Sequence, residues 1–273
     1  MKARFTHYTH RGHRVHRLSF LEKVLIWLIV PALVIVIAMA AITFVGVRIV
    51  PIPFAHLPIG YLGLAFLSSF ARLFVAYIAS LVVGLLLALA VIKSALWERV
   101  LIPVYDVLES VPVLVFFPVI ILFFIHYGWL NSAAIFILFL TMIWSIVFNA
   151  IGALRVIPAD ILAVPKIFKL GRFTAFRKVI LPALFPSLVT GSLLAWAAGW
   201  NILIVAEVLH TYVPAGENVA DVFGIGSILV QASATGNQSI FLWSIVIIVV
   251  AIMIINIFVW QKLLRYAERY KFD

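Results

Sequence analysis

The chain has 273 residues, 66% hydrophobic and only 11% charged, far more apolar and far less charged than a soluble domain of ordinary composition. The net charge of +10 would suit a nucleic-acid partner, but the cations sit in short segments beside long apolar runs, the pattern of a polytopic membrane protein rather than a nucleic-acid binder. With no cysteine there is neither a disulfide nor a thiolate metal site.

Residues 1–23 are basic, with Lys2, Arg4, Arg11, Arg14, Arg17 and Lys23, and His7, His10, His13 and His16 recur at every third position. A metal-binding or pH-sensing tail is one reading. A cytoplasmic segment held at the membrane surface is the other, and it is favoured because no cysteine or carboxylate lies among the histidines. A first span is expected from Val24 to Val47, long enough to cross about 30 Å of hydrocarbon. No small-residue cleavage site follows it, so it reads as a span and not a leader. Pro51, Pro53 and Pro58 mark an irregular loop.

The second span is expected from Leu64 to Ile92. It carries Arg72, which facing lipid would cost about 2.5–3.5 kcal/mol. Arg72 therefore faces the protein interior or the outer interface, in a helix–helix hydrogen bond or near a substrate path. KSALWER (93–99) is a basic turn. The run that follows begins polar with Asp106 and Glu109, contains Pro103, Pro112 and Pro118, and turns fully apolar. It predicts an interfacial elbow leading into a third span from Val111 to Ile125. A fourth span runs from Ala133 to Leu154, with Asn149 and Gly152 near its inner end.

Arg155 to Pro186 is the long basic interruption of the second half, with Arg155, Lys166, Lys169, Arg172, Arg177 and Lys178. Ile161, Val164, Ile167, Phe168, Phe173 and Phe176 keep helical spacing, which predicts an amphipathic helix followed by a second short helical piece. A fifth span from Ala183 to Leu209 holds Gly191, Gly199, Asn201 and Glu207. An intramembrane carboxylate is a functional candidate by default. Residues 210–239 form a polar, Gly-rich external segment, with a short re-entrant helix expected at Val219 to Ala232. The sixth span runs from Ile240 to Trp260, and the tail is basic again.

Counting Lys and Arg segment by segment places eighteen of twenty on one side of six spans, leaving only Arg48 and Arg72 elsewhere. Both termini and the 155–186 segment are then cytoplasmic. The expected fold is an all-α polytopic membrane protein with six transmembrane helices. Its parts are a tail (1–23), one membrane domain (24–265) containing the segment 155–182, and a second tail (266–273).

No GxxxxGK[ST] loop is present, so a transport function would draw its energy from a partner. FRKVILPALFPSLVTG (176–191) resembles the motif after the coupling helix of binding-protein-dependent ABC importer permeases. RVIPADIL (155–162) is similar to its lead-in. SVPVLVFFPVIILFF (110–124) and AWAAGWNILIVAEVL (195–209) resemble the nitrate/sulfonate/taurine branch and its duplicated anion-permease relatives. Together these cover roughly residues 64–265. With Pro158 and Pro182 both aligned, the family's acidic residue falls on Ala163, its two small residues on Val164 and Pro165, and its glycine on Lys169. Gly171 lies two positions later.

The resemblance implies the type I importer permease fold, with a cytoplasmic coupling helix between spans four and five, in a prokaryotic inner membrane. It implies ABC ATPase subunits that bind ATP and magnesium, a second permease subunit and an extracytoplasmic binding protein, with lipid around the chain and no cofactor bound to it. The solute would be a small anion such as nitrate, a sulfonate, bicarbonate or another oxyanion. Ile161, Val164, Phe168, Leu170, Gly171, Phe176 and Pro182 are the expected coupling residues. Arg72, Asn149, Asn201 and Glu207 are candidates for the path. An ion-coupled secondary transporter and a non-transporting assembly subunit are the competing readings, and a membrane enzyme is disfavoured because the histidines do not cluster with carboxylates.

Overall fold

The computed structural model describes residues 59–92, 94–213 and 220–270, all in the unit from Pro51 to Asp273. The basic tail, the first expected span, Arg48 and the proline loop lie outside the described residues. Every element among them is helical.

α1 (Ile59–Val91) is an unbroken 33-residue helix. Its buried stripe is built from small residues, Ala65, Ser69, Ala76, Ser80, Gly84 and Ala88, which let neighbouring backbones approach. Ser80 Oγ donates to Phe139 O across that interface at 3.2 Å. α2 (Ala95–Ser110) starts at Ser94, whose hydroxyl accepts from the Trp97 amide at 3.4 Å. Only Tyr105 of α2 is buried. The chain then bends by 82° into a 3₁₀ turn and α3 (Phe117–His126). Pro112 causes the bend, because its ring pushes Val111 into the β region (φ −76°, ψ 121°) and no helix can run through. Pro103 is accommodated inside α2 and Pro118 lies in the first turn of α3. Of the three prolines expected to kink this run, Pro112 sets the elbow.

α4 (Leu130–Val156) is the central helix, with twelve buried residues. It also stops before a proline, with Ile157 extended ahead of Pro158. α5 (Ala159–Ile167) is a short helix whose end follows the Schellman pattern. The Leu170 amide donates to Pro165 O (2.9 Å) and the Lys169 amide to Lys166 O (3.2 Å). Lys169 adopts φ 48°, the left-handed conformation that glycine prefers. A helical turn (Arg172–Ala175) and a π turn (Phe176–Ile180) lead without a break into α6 (Leu181–Glu207). The expected pair of a helix and a second helical piece is present, and the second piece is the root of the next span.

α7 (Ile225–Ala234) is the short apolar helix expected in the external segment, beginning at Ile225 and not at residue 219. α8 (Gln238–Ile255) continues through a π turn into α9 (Gln261–Ala267); Trp243 and Ile247 pack inward while Val246, Val250, Ile252 and Ile254 face outward. Four helical stretches among the described residues are long and apolar enough to cross a membrane, five if the bent pair around Pro112 is one span.

The main core lies where α1, α4 and α6 pack, around Leu73, Ile137, Met142, Ile146, Leu184 and Leu203. Gly191 fixes how closely α4 and α6 meet: a Cβ there would stand 2.9 Å from Ser145 O and Asn149 Cβ. A second, smaller cluster of Leu62, Ala65, Ile225 and Ile228 seats α7 on the start of α1.

Candidate functional site

Among the described residues, two charged side chains are buried, Arg72 and Glu207, with relative exposures of 7% and 0%. They meet: Arg72 Nη2 donates to Glu207 Oε1 at 2.5 Å. Arg72 comes from the middle of α1 and Glu207 is the last residue of α6. Ser69 lies one turn before Arg72 on the same buried stripe and donates its hydroxyl to Glu207 Oε1 (2.5 Å). Arg72 Nη1 donates to Asn131 Oδ1 at the start of α4 (3.1 Å), and Nη2 also donates to Phe223 O (2.8 Å).

The backbone ahead of α7 and the first turn of α7 close over this pair. The Gly226 amide donates to Glu207 Oε2 (2.8 Å), the Ile225 amide to Ser69 Oγ (2.9 Å), and the Val222 amide to Glu207 O (3.0 Å). Glycine is required at 224 because a Cβ there would overlap the Glu207 carboxylate and the Arg72 guanidinium. Ser227 exchanges hydrogen bonds with the Gly224 backbone and closes the first turn of α7. Four helices and one non-helical strap therefore converge on one ion pair. Both charges are kept out of lipid by each other, which is the condition for burying them.

Of the four path candidates, Arg72 and Glu207 come together, although 135 residues separate them. Arg72 takes the interior position, in helix–helix hydrogen bonds. Asn149 lies elsewhere, about 27 Å along α4 from Asn131, donating to Ser145 O of its own helix at 2.8 Å. It lines an open pocket with Phe148, Gly152, Val156 and Ser187. Asn201 points outward from α6 and is exposed. Ser69, Asn131, Gly224 and Gly226 were not singled out in the sequence. The G-x-G spacing at 224–226, ahead of an apolar run, was the one available signal.

The 157–180 segment lies at the other end of α6, about 40 Å from Glu207. Ile161 packs toward the core, Val164, Leu170, Phe176 and Pro182 are half-buried, and Phe168 and Gly171 are exposed. The large apolar side chains presented outward are Leu162 (45% exposed), Ile167 (70%), Phe168 (68%) and Phe173 (75%). Lys166, Lys169, Arg172, Arg177 and Lys178 stand exposed around them. Beside this segment, Arg155 at the end of α4 holds Glu98 in the first turn of α2 through Nε (2.9 Å) and Nη2 (2.5 Å).

Residues 80–267 match the family described as binding-protein-dependent transport system inner membrane component. The nitrate import permease protein NrtB of Leptolyngbya laminosa is 33% identical over 160 residues, 59% of this chain and 56% of that protein. The bicarbonate transport system permease protein CmpB of Synechocystis sp. is 28% identical, over 52% of this chain and 50% of that protein. The taurine transport system permease protein TauC of Escherichia coli is 22% identical over similar shares, 52% and 50%. The chain thus spans about half the length of the curated relatives it matches. A chain of the MetNI methionine ABC transporter shares the fold, with a TM-score of 0.63 at 19% identity, over 76% of this chain and 96% of that one.

Proposed function

Because the chain belongs to the family of binding-protein-dependent transport system inner membrane components, we propose that it is the membrane-spanning subunit of an ATP-driven importer for a small anion. The single observation that carries this reading is the 157–180 segment. It presents Leu162, Ile167, Phe168 and Phe173 among exposed cations, and it is joined directly to a long helix at each end. An exposed apolar stripe on a short helix is how one helix docks in a groove of a soluble partner. The partner here is an ABC ATPase that binds ATP and magnesium. Motion of the segment would tilt α4 and α6 together and alternate access to the path.

The finer parts of the proposal follow from the same reading. The chain crosses the membrane six times with both termini in the cytoplasm, which is what the charge distribution favours. It pairs with a second permease subunit and receives solute from an extracytoplasmic binding protein. The names of the relatives, permeases for nitrate, bicarbonate and taurine, support a small anion as solute. A self-sufficient ion-coupled transporter would need an ionisable site open to the path. The buried charges among the described residues, Arg72 and Glu207, are spent on each other.

Phe168→Asp tests the docking. Losing a central aromatic anchor costs about 2 kcal/mol or more, roughly a thirtyfold loss of affinity. Co-purification of the ATPase with the variant should drop accordingly, while the amount of chain in the membrane stays the same. Wild-type recovery of the ATPase would refute the docking role.

A further inference from the structure

The covering of the Arg72–Glu207 pair is built differently from the rest of the bundle. Residues 222–224 are non-helical backbone laid across the two charges, and together with the first two amides of α7 they hold on through hydrogen bonds to Arg72, Glu207 and Ser69. α7, which follows, packs through Ile225 and Ile228 on Leu62 and Ala65 of α1 and on Trp243 and Ile247 of α8, a cluster smaller than the main core, and its Gly226 lies close against the α6 backbone at Ile204. Its far end turns at Gly236 (φ 70°) before α8 begins. A pocket of about 460 Å³ lies against this segment, lined by Tyr61, His210, Asp221, Phe223, Ser227 and Gln231.

A static cap over a helix bundle is held as well by apolar packing as by a buried ion pair, and often better. An ionic anchor differs in that it can be exchanged for water when the cover lifts. Arg72 Nε is also buried without an acceptor among the described residues, so the closed arrangement is not a fully satisfied network. We propose that residues 222–234 form a hinged strap across the mouth of the bundle, latched by Arg72 and Glu207, and that its release opens the path on the side away from the coupling segment. The direction of that opening, outward, rests on the importer reading.

Because the chain has no cysteine, a single introduced one reports alone. The reporter is Ile228→Cys, on the buried inner face of the strap itself (7% exposed), and the control is Ile137→Cys, in the core of α4 (0%). Both are labelled with a membrane-impermeant maleimide in membranes that also carry the cognate ATPase. In the R72Q/E207Q background, which removes both charges together, labelling at 228 should rise about tenfold or more, as expected for losing charged hydrogen bonds. Labelling at 137 should stay at its low level. No rise at 228, or an equal rise at both sites, overturns the latch. In the otherwise unaltered chain, trapping the ATPase with ATP and vanadate should speed labelling at 228 severalfold. A rate that ignores the nucleotide overturns the gate even where the latch stands. Loss of the importer reading would show separately, as failure of the ATPase to co-purify.

Discussion

At the scale of single residues, Lys169 is the clearest case of a side chain in a place made for another. The Schellman turn that ends α5 demands φ 48° at that position, a conformation glycine adopts freely and lysine does not. Lys169→Gly should therefore stabilise the turn by about 0.5–1 kcal/mol. Chymotryptic cleavage at Phe168 and Phe173 should slow by up to a few-fold, and faster cleavage would show that the turn is not limiting. Glu207 behaves in the opposite way. Glu207→Gln leaves Arg72 buried without a counter-charge and should destabilise the bundle by about 3–5 kcal/mol. The R72Q/E207Q double variant should melt in detergent well above that single variant, and equal melting would mean the two side chains are not coupled. Arg72 was legible in the sequence as a costly intramembrane charge, and Glu207 as a functional candidate near the outer end of its span. Their pairing was not, because it depends on how α1 and α6 cross, and no local pattern encodes a contact 135 residues apart.

At the scale of elements, proline placed the breaks and small residues placed the contacts. Two helices end where a proline forces the preceding residue into the β region, at Val111 and Ile157. The ends of α4 were therefore readable to within a few residues. Two other ends were not: the last helix runs past Trp260 to Tyr270, and at the root of α6 hydropathy points to Ala183 but the helix runs back through a π turn to Arg172. Amphipathic basic residues hide a helix from a hydropathy reading even when it is continuous. The face of α5 is only partly legible for a related reason. Spacing alone cannot tell which apolar stripe turns inward, and here Ile161 does while Leu162, Ile167 and Phe168 face out. Glycines can be sorted by the same logic. Gly191→Leu should force α4 and α6 apart and cost about 1–3 kcal/mol. Gly152→Ala, in the same helix pair but with nothing within 4 Å of its Cβ, should be neutral or stabilising by up to about 1 kcal/mol. Thermal aggregation of the two variants in one detergent separates these outcomes, and equal losses would refute the close contact at Gly191.

At the scale of the whole molecule, the two features that carry the functional reading sit at opposite ends of α6. The 157–180 segment leads into its start and Glu207 ends it, about 40 Å apart, which is more than the hydrocarbon thickness of a bilayer. If α6 is one span, the exposed apolar face at Phe168 and the strap at 222–234 must lie on opposite sides of the membrane. That statement needs no assumption about the number of other spans, and cysteine accessibility tests it directly in a chain with none of its own. Phe168→Cys and Ser233→Cys are both exposed positions. An impermeant maleimide should label Cys at 168 in inside-out vesicles alone and Cys at 233 in right-side-out vesicles alone. Labelling of both in one vesicle type would put the segment and the strap on one face, and α6 would no longer be a mechanical link between them. The same result would remove the physical route by which an ATPase at one end could release the Arg72–Glu207 latch at the other.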